Sequence, residues 1–364
     1  DVRISGNVNV NRSTIFKGFV VRDTVNINTS GSVKLLNNNV EHLNISSGQL
    51  LAKNCTFRGV GSDGGSDTLI EFDNCLISSP GGICRVNLDC EGSIILKNCT
   101  INIHNMPGQN SSNCLRFGSN NHTKELTKFV LYNCDINSYY PLIVDSLKSW
   151  IGYNRFSGSN VASNRSLELM NNFDKAFIIG NTFHGRIYSN KDNSDSNDGL
   201  YIFNNSFENI PYAFFDMHNT GMNNGTIMIY NNTISMVDDY TSTAINEQDC
   251  DSIQIRNNVF SPSSATIMLN IGAEFEYNEG ILRENFNGIY FSETNDGRLD
   301  QDPRYVDIGS DTNTKGINGG IFANLAGLPL GSKPLLISFD IEDYGFYEGD
   351  YETLTIDSGL GVSK

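Results

Sequence analysis

Ile253-Gln254-Ile255-Arg256-Asn257-Asn258-Val259-Phe260 is the phrase on which the fold turns, because its pattern returns along most of the chain. Two alternating apolar residues lead into an Asn, one further residue follows, and an apolar or aromatic side chain closes the phrase. With the residue after the first Asn as anchor, it recurs at Asn38, Cys55, Cys75, Cys99, Cys134, Asn154, Asn181, Asn205, Asn232, Asn258 and, weakly, Asn278. The gaps are 17, 20, 24, 35, 20, 27, 24, 27, 26 and 20 residues. Unequal repeats of about 20–50 residues point to a solenoid whose loops absorb the variation.

Period-two alternation puts Ile253, Ile255 and Asn257 on one strand face and Gln254 and Arg256 on the other. Phe260 returns inward after a corner. The same holds for Ile94, Leu96, Asn98 and Ile101, for Phe129, Leu131, Asn133 and Ile136, and for Leu200, Ile202, Asn204 and Phe207. Asn suits the corner because it tolerates the left-handed backbone and its amide satisfies buried turn groups. Stacked rungs then align these amides in a ladder.

With 364 residues, 34 Gly against 8 Pro, and no stretch of helical periodicity, the chain reads as many short strands joined by polar turns. A solenoid adds core linearly and is not limited by the size of one globular core. The expected fold is all-β: a right-handed parallel β-helix of about eleven or more rungs over residues 1–308, with a short C-terminal β appendage. Residues 309–334 form a loop-rich closing segment and linker, and residues 335–364 a strand cap or the start of a further β-domain. A leucine-rich horseshoe also ends strands on Asn, but leucine is too sparse here. Residues 1–35 read as the first rungs, with Phe16 to Val21 as one strand. The 35-residue interval holds either a projecting loop from Met106 to Thr127 or an extra strand at Cys114-Leu115-Arg116-Phe117.

The net charge of −16 argues against nucleic acid and anionic membrane surfaces, and against acidic polysaccharides unless a divalent ion bridges them. No apolar run is long enough to span a bilayer, and Asp1 opens no signal peptide, which fits a mature secreted product or a trimmed fragment. The eight cysteines match neither a disulfide nor a zinc spacing. Cys55, Cys75, Cys99 and Cys134 share the corner position, so they should stack at about one strand spacing, roughly 4.8 Å, as reduced packing residues. Cys84 and Cys90 are the one close pair outside that ladder.

These rungs resemble the right-handed β-helix proteins of the pectate-lyase-like superfamily, in which a two-residue corner with an Asn ladder separates the second and third sheets. The resemblance covers about residues 5–290. The segment Asp302-Pro303-Arg304-Tyr305-Val306-Asp307 with Gly316-Ile317-Asn318-Gly319-Gly320 is similar to those ending many secreted bacterial β-helix proteins, which implies a secreted or cell-surface location. In that superfamily the first sheet carries ligands. By the resemblance, its strands here are Ile83 to Val86, Leu142 to Asp145, Leu167 to Met170, Ile187 to Lys191, Phe214 to His218 and Ala244 to Glu247. Glu168, Tyr188 and Phe215 then share one column, Asn171, Lys191, His218 and Gln248 another, and Asp145 and Glu247 end a third.

Ligand binding is accordingly expected at Tyr188, Phe215, Asp145 and Glu168, where aromatic faces meet sugar rings and carboxylates meet hydroxyls. Lys191, Asp216, His218 and Glu247 are the catalytic candidates. Ser189-Asn190-Lys191 is similar to the segment carrying the catalytic lysine of alginate-lyase and chondroitinase-B-like lyases, although no arginine follows in Phe214 to His218. A glycosidase would need two carboxylates about 5–9.5 Å apart, such as Asp216 with Glu247 or Asp145 with Glu168. Asp192, Asp195 and Asp198 gather oxygen ligands suited to Ca²⁺, the one ion the residues suggest, and no cofactor is required. The leading expectation is a secreted or surface adhesive protein that binds a polysaccharide. A lyase or glycosidase, and a structural subunit attached to a surface complex through its C-terminal segment, are the alternatives.

Overall fold

The computed structural model describes residues 2–62, 68–78, 86–103, 115–118, 126–158, 165–170, 173–189, 199–210, 214–217, 225–236, 243–246, 252–256, 258–261, 265–268, 274–276, 282–283 and 288–289. Among them every regular element is a strand. Among the described residues no helix is long and apolar enough to cross a membrane. The chain divides into two compact units, Asp1–Phe173 with Ile187–Ser189, and Asp174–Arg186 with Asn190–Lys364.

In the first unit each turn contributes a leading strand before the Asn corner, a trailing strand after it, and a return strand. Leading strands Thr68–Asp73, Gly92–Lys97, Leu126–Tyr132 and Ser146–Gly152 pair in parallel and in order. Phe72 thus stands beside Leu96, Leu96 beside Leu131 and Leu131 beside Ile151, all essentially inaccessible to solvent. Trailing strands Thr100–Ile103, Asp135–Ser138 and Arg155–Ser157 stack likewise. Return strands Val86–Leu88, Leu115–Phe117, Leu142–Val144 and Arg165–Leu169 form the third face. Leu115–Phe117 realises the extra strand rather than a bare projecting loop. The chain is therefore all-β with parallel rungs, compatible with a parallel β-helix.

The interior is filled where inward columns from the three faces meet. Phe57 and Phe72 meet edge to face at 5.6 Å, and Phe117 and Phe129 lie 4.9 Å apart. Each such side chain contributes about 1.5–3 kcal/mol on burial. In the second unit Lys175–Ile179, Gly199–Phe203, Thr226–Tyr230 and Ser252–Arg256 stack in parallel. Phe183 and Phe207 stack inside it at 5.1 Å. On the outer side Phe177 and Tyr201 are parallel, 7° apart in plane at 4.5 Å. Ala265–Met268 departs from the rule by pairing antiparallel with Gly288–Ile289.

The corners explain the Asn periodicity. Asn37, Asn54, Asn74, Asn98, Asn133, Asn204 and Asn231 have φ between 50° and 61°, the left-handed region that Asn enters most cheaply among side-chain-bearing residues. Several also join side chains between rungs: Asn54 Nδ2 donates to Asn37 Oδ1 at 3.1 Å, Asn74 Nδ2 to Asn54 Oδ1 at 2.8 Å, and Asn133 Nδ2 to Asn98 Oδ1 at 2.8 Å. Asn98→Ala is expected to lose about 1–2 kcal/mol from the left-handed backbone alone. Asn98→Gly should lose less, the reverse of the usual order in strands, and urea unfolding of the two variants checks it.

A corner also sits where the sequence suggested a single strand from Phe16 to Val21. Gly18 turns there with φ 74°, and the Asn38 amide completes the turn by donating to Phe16 O and accepting from Phe19 N. Glycine enters the left-handed region without an amide, so this corner lacks the Asn signature.

The residue after each left-handed one faces inward. Asn154 donates to Leu131 O at 2.9 Å and accepts from Cys134 N at 2.8 Å. Asn205, Asn232 and Asn258 do the same in the second unit and also join amide to amide. The stacked cysteines take over this role with sulfur. Cys55, Cys75, Cys99 and Cys134 donate to Leu35 O, Ala52 O, Phe72 O and Leu96 O, while Cys55 and Cys134 Sγ accept from Asn38 N and Cys99 N. A thiol is a weak donor and acceptor, so it imitates the amide with less force. All four are free and buried.

The hydrogen bond with Cys134 and burial together push Cys99 up to about 12. At Cys75 the bond with Cys55 lowers the pKa, but the bond with Cys99 and burial outweigh it, again to about 12. Thiols so held stay protonated at neutral pH and are poor nucleophiles. Cys84, the Asn278 rung and the segments at 309–334 and 335–364 lie outside the described residues.

Candidate functional site

The return strands build the outer face that the sequence reading singled out as the first sheet. Alternation fixes which side chains reach it. In the first unit Leu115, Phe117, Leu142, Val144, Leu167 and Leu169 turn inward, so Arg116, Ile143 and Glu168 stand outward in register. Asp145 ends its strand on the same side.

Arg116 and Asp145 form the most enclosed pair, Nη2 to Oδ2 at 3.4 Å, with side chains 6% and 2% exposed. Burial lowers the Arg116 pKa, opposed by the charges of Asp145, Glu168 and Asp89. Gly118 makes the close approach of the two rungs feasible: its φ is 105°, and a Cβ there would run into the Asp145 carbonyl. The Asp145 N–H donates to Phe117 O at 2.8 Å, locking the carboxylate's strand end in place.

Glu168 is held by Arg165 at 3.2 Å. The same guanidinium lies over the Tyr188 ring, 3.5 Å from its centroid, a cation–π contact that leaves Tyr188 only 7% exposed. The first unit thus gathers two arginines, two acids and a tyrosine on one face, with Asp89 close enough to act on Arg116. Asn87 Oδ1, Asp89 Oδ1 and Arg165 Nε are screened from solvent and have no hydrogen-bond partner among the described residues.

In the second unit Asp216 accepts from Arg186 Nη1 at 2.8 Å and is 7% exposed. Phe215 is in register with Ile245 and fully buried, so its ring offers no face to a sugar. Placing Phe215 in the outward column was one residue out, and in a strand such a slip exchanges faces. Asp216 is the outward residue. Lys191, His218, Glu247, Asp192, Asp195 and Asp198 lie outside the described residues, where no metal grouping or catalytic geometry is assigned to them.

Three arginines were missed by the sequence reading. Arg116, Arg165 and Arg186 each open or occupy a return strand whose other residues are mostly apolar and inward, in Leu115-Arg116-Phe117, Arg165-Ser166-Leu167 and Arg186-Ile187-Tyr188. That alternation was the available signal. Chemically, Asp145, Glu168 and Asp216 each have a guanidinium nitrogen within 3.4 Å, so these acids are arranged as acceptors with arginine donors beside them.

Comparison of the chain with protein-family models, with curated proteins and with solved structures gives no match.

Proposed function

We propose that this chain is a right-handed parallel β-helix of the pectate-lyase-like kind, secreted or held at a cell surface, that binds a polysaccharide on the outer face of its return strands. The reading rests on the cluster of Arg116, Asp145, Arg165, Glu168 and Tyr188, which puts paired acceptors, fixed donors and an aromatic ring on one face of a rigid sheet. The right-handed sense follows from the strong preference of parallel crossovers. Hydroxyls both donate and accept, so sugars match a surface of arginines, carboxylates and amides, while Tyr188 serves to fix the Arg165 guanidinium in place. Fixed arginine partners fit holding a ligand better than delivering a proton.

The test is retention of the purified chain in gels containing galactomannan, mixed-linkage glucan, dextran, polygalacturonate or alginate, with and without Ca²⁺. New reducing ends and unsaturated products are followed in parallel. Wild type is expected to be retained without products, and Arg165→Ala with Glu168→Ala to bind about tenfold or more weakly, since hydrogen bonds to charged groups contribute about 1.5–3 kcal/mol each. Retention that is absent throughout, or unchanged in the double variant, overturns the proposal, and product formation replaces it with the enzyme reading.

A further inference from the structure

The charged cluster is the end of a longer row. Strand register in the first unit aligns Asn9 with Asn26, Asn26 with Asn44, Asn44 with Gly61, Gly61 with Asn87 and Asn87 with Arg116. The described residues flanking this column turn inward and are apolar except Ser62 after Gly61, among them Val25, Ile27, Leu43, Ile45, Val60, Val86 and Leu88. The row therefore lies on the outer face, one side chain per rung. Its five steps span roughly 24 Å at about 4.8 Å each. Amides occupy every position before Arg116 except Gly61, and Asn26 Nδ2 donates to Asn9 Oδ1 at 3.0 Å, keeping neighbours in line.

Among the described residues nothing requires glycine at position 61. Its φ lies outside the left-handed region, and a Cβ would meet only Asn44 Oδ1 and the Asn87 carbonyl, both at 4.0 Å, ordinary contact. Gly48, Gly92, Gly118 and Gly158 differ: each has a positive φ and a backbone carbonyl where the Cβ would stand. Glycine inside a strand weakens it and is found where another molecule comes close to the backbone. Beside this gap, Asn87 Oδ1 is screened from solvent and has no hydrogen-bond partner among the described residues.

We propose that the column from Asn9 to Arg116 is a track for one unbranched, uncharged polysaccharide running from rung to rung, with Gly61 as a notch that seats one sugar ring against the sheet. The claim rests on the polysaccharide-binding reading and names its ligand class and direction. Amides donate and accept together, as hydroxyls do, and the track carries no charge before Arg116. A uronic polymer would bring anions to a chain of net charge −16 without a cation along the amide row.

The test compares Gly61→Ala and Gly61→Trp with wild type on the unbranched neutral polymers mixed-linkage glucan, pullulan and unsubstituted mannan, with polygalacturonate and alginate alongside. Gly61→Ala should bind as wild type and melt no lower. Gly61→Trp should keep the wild-type circular dichroism and lose about tenfold or more in affinity for the neutral polymer. Asn44→Ala with Asn87→Ala, which removes the flanking amides without adding bulk, should lose binding by a similar factor even if the tryptophan variant fails to fold. Wild-type affinity in both Gly61→Trp and the Asn double variant, with binding lost in Arg165→Ala, Glu168→Ala, overturns the track and leaves the binding site standing. Retention by uronic polymers alone overturns the neutral ligand class. Retention by none overturns track and binding reading together.

Discussion

Asn232→Ala should lower the free energy of unfolding by about 3–5 kcal/mol, because each buried polar group left without a partner costs about 1–3 kcal/mol. The Asn232 amide accepts from Asn205 N and Asn205 Nδ2 and donates to Ile202 O and Asn258 Oδ1, all within 3.0 Å, and the residue has no exposed surface. Alanine abandons all four bonds where water has no access. The corresponding Cys99→Ala removes weak thiol bonds, among them those of 3.4 and 3.2 Å to Phe72 O and Lys97 O, and its expected loss is about 1 kcal/mol. Cys99→Asn should be at least as stable as wild type, since an amide in that slot meets the same carbonyl with a stronger donor. Urea midpoints of the three variants check the series. A Cys99→Ala loss equal to that of Asn232→Ala would show that sulfur contributes by filling space and not by hydrogen bonding.

Arg116→Met is the second large effect, expected at about 3–5 kcal/mol, the range for removing one member of a buried ion pair. Asp145 keeps its charge in a site where its side chain is 2% exposed. Adding Asp145→Asn should recover part of the loss by removing that charge, so the double variant should be more stable than Arg116→Met alone. Arg58→Met is the control: its partner Glu41 is 31% exposed, and surface pairs contribute about 0–1 kcal/mol. Thermal and urea unfolding of wild type, Arg116→Met, Asp145→Asn and the double variant measures the coupling, with Arg58→Met alongside. Additive losses would mean that the two charges do not sense each other.

The fold was legible because its rule is local. An Asn forced into the left-handed region, followed by an inward ladder residue, marks every rung from Asn37 to Asn133 in four or five letters. Phe215 shows where that locality ends. Its segment has two adjacent phenylalanines before Asp216, so alternation alone allows either ring to face out, whereas the fold buries both. Gly18 was missed for the opposite reason, since a glycine corner leaves no amide to count. The arginines were visible as alternating residues, but a guanidinium reaches across rungs, and the partner of Arg165 being both Glu168 and the Tyr188 ring is a fact of side-chain conformation rather than of spacing.

The ladder bonds have a direction. The Asn38 side chain completes the backbone around Phe16 and Phe19, Asn154 completes that around Leu131 and Cys134, and Asn232 that around Ile202 and Asn205. In each case the later residue serves the earlier turn. Every corner is thus unfinished until the next stretch of polypeptide has been synthesised, and the newest corner is always the one seeking a successor. Growth from the ribosome and consolidation of the stack proceed in the same sense, so the molecule is suited to being wound up vectorially, each turn sealing the one before it.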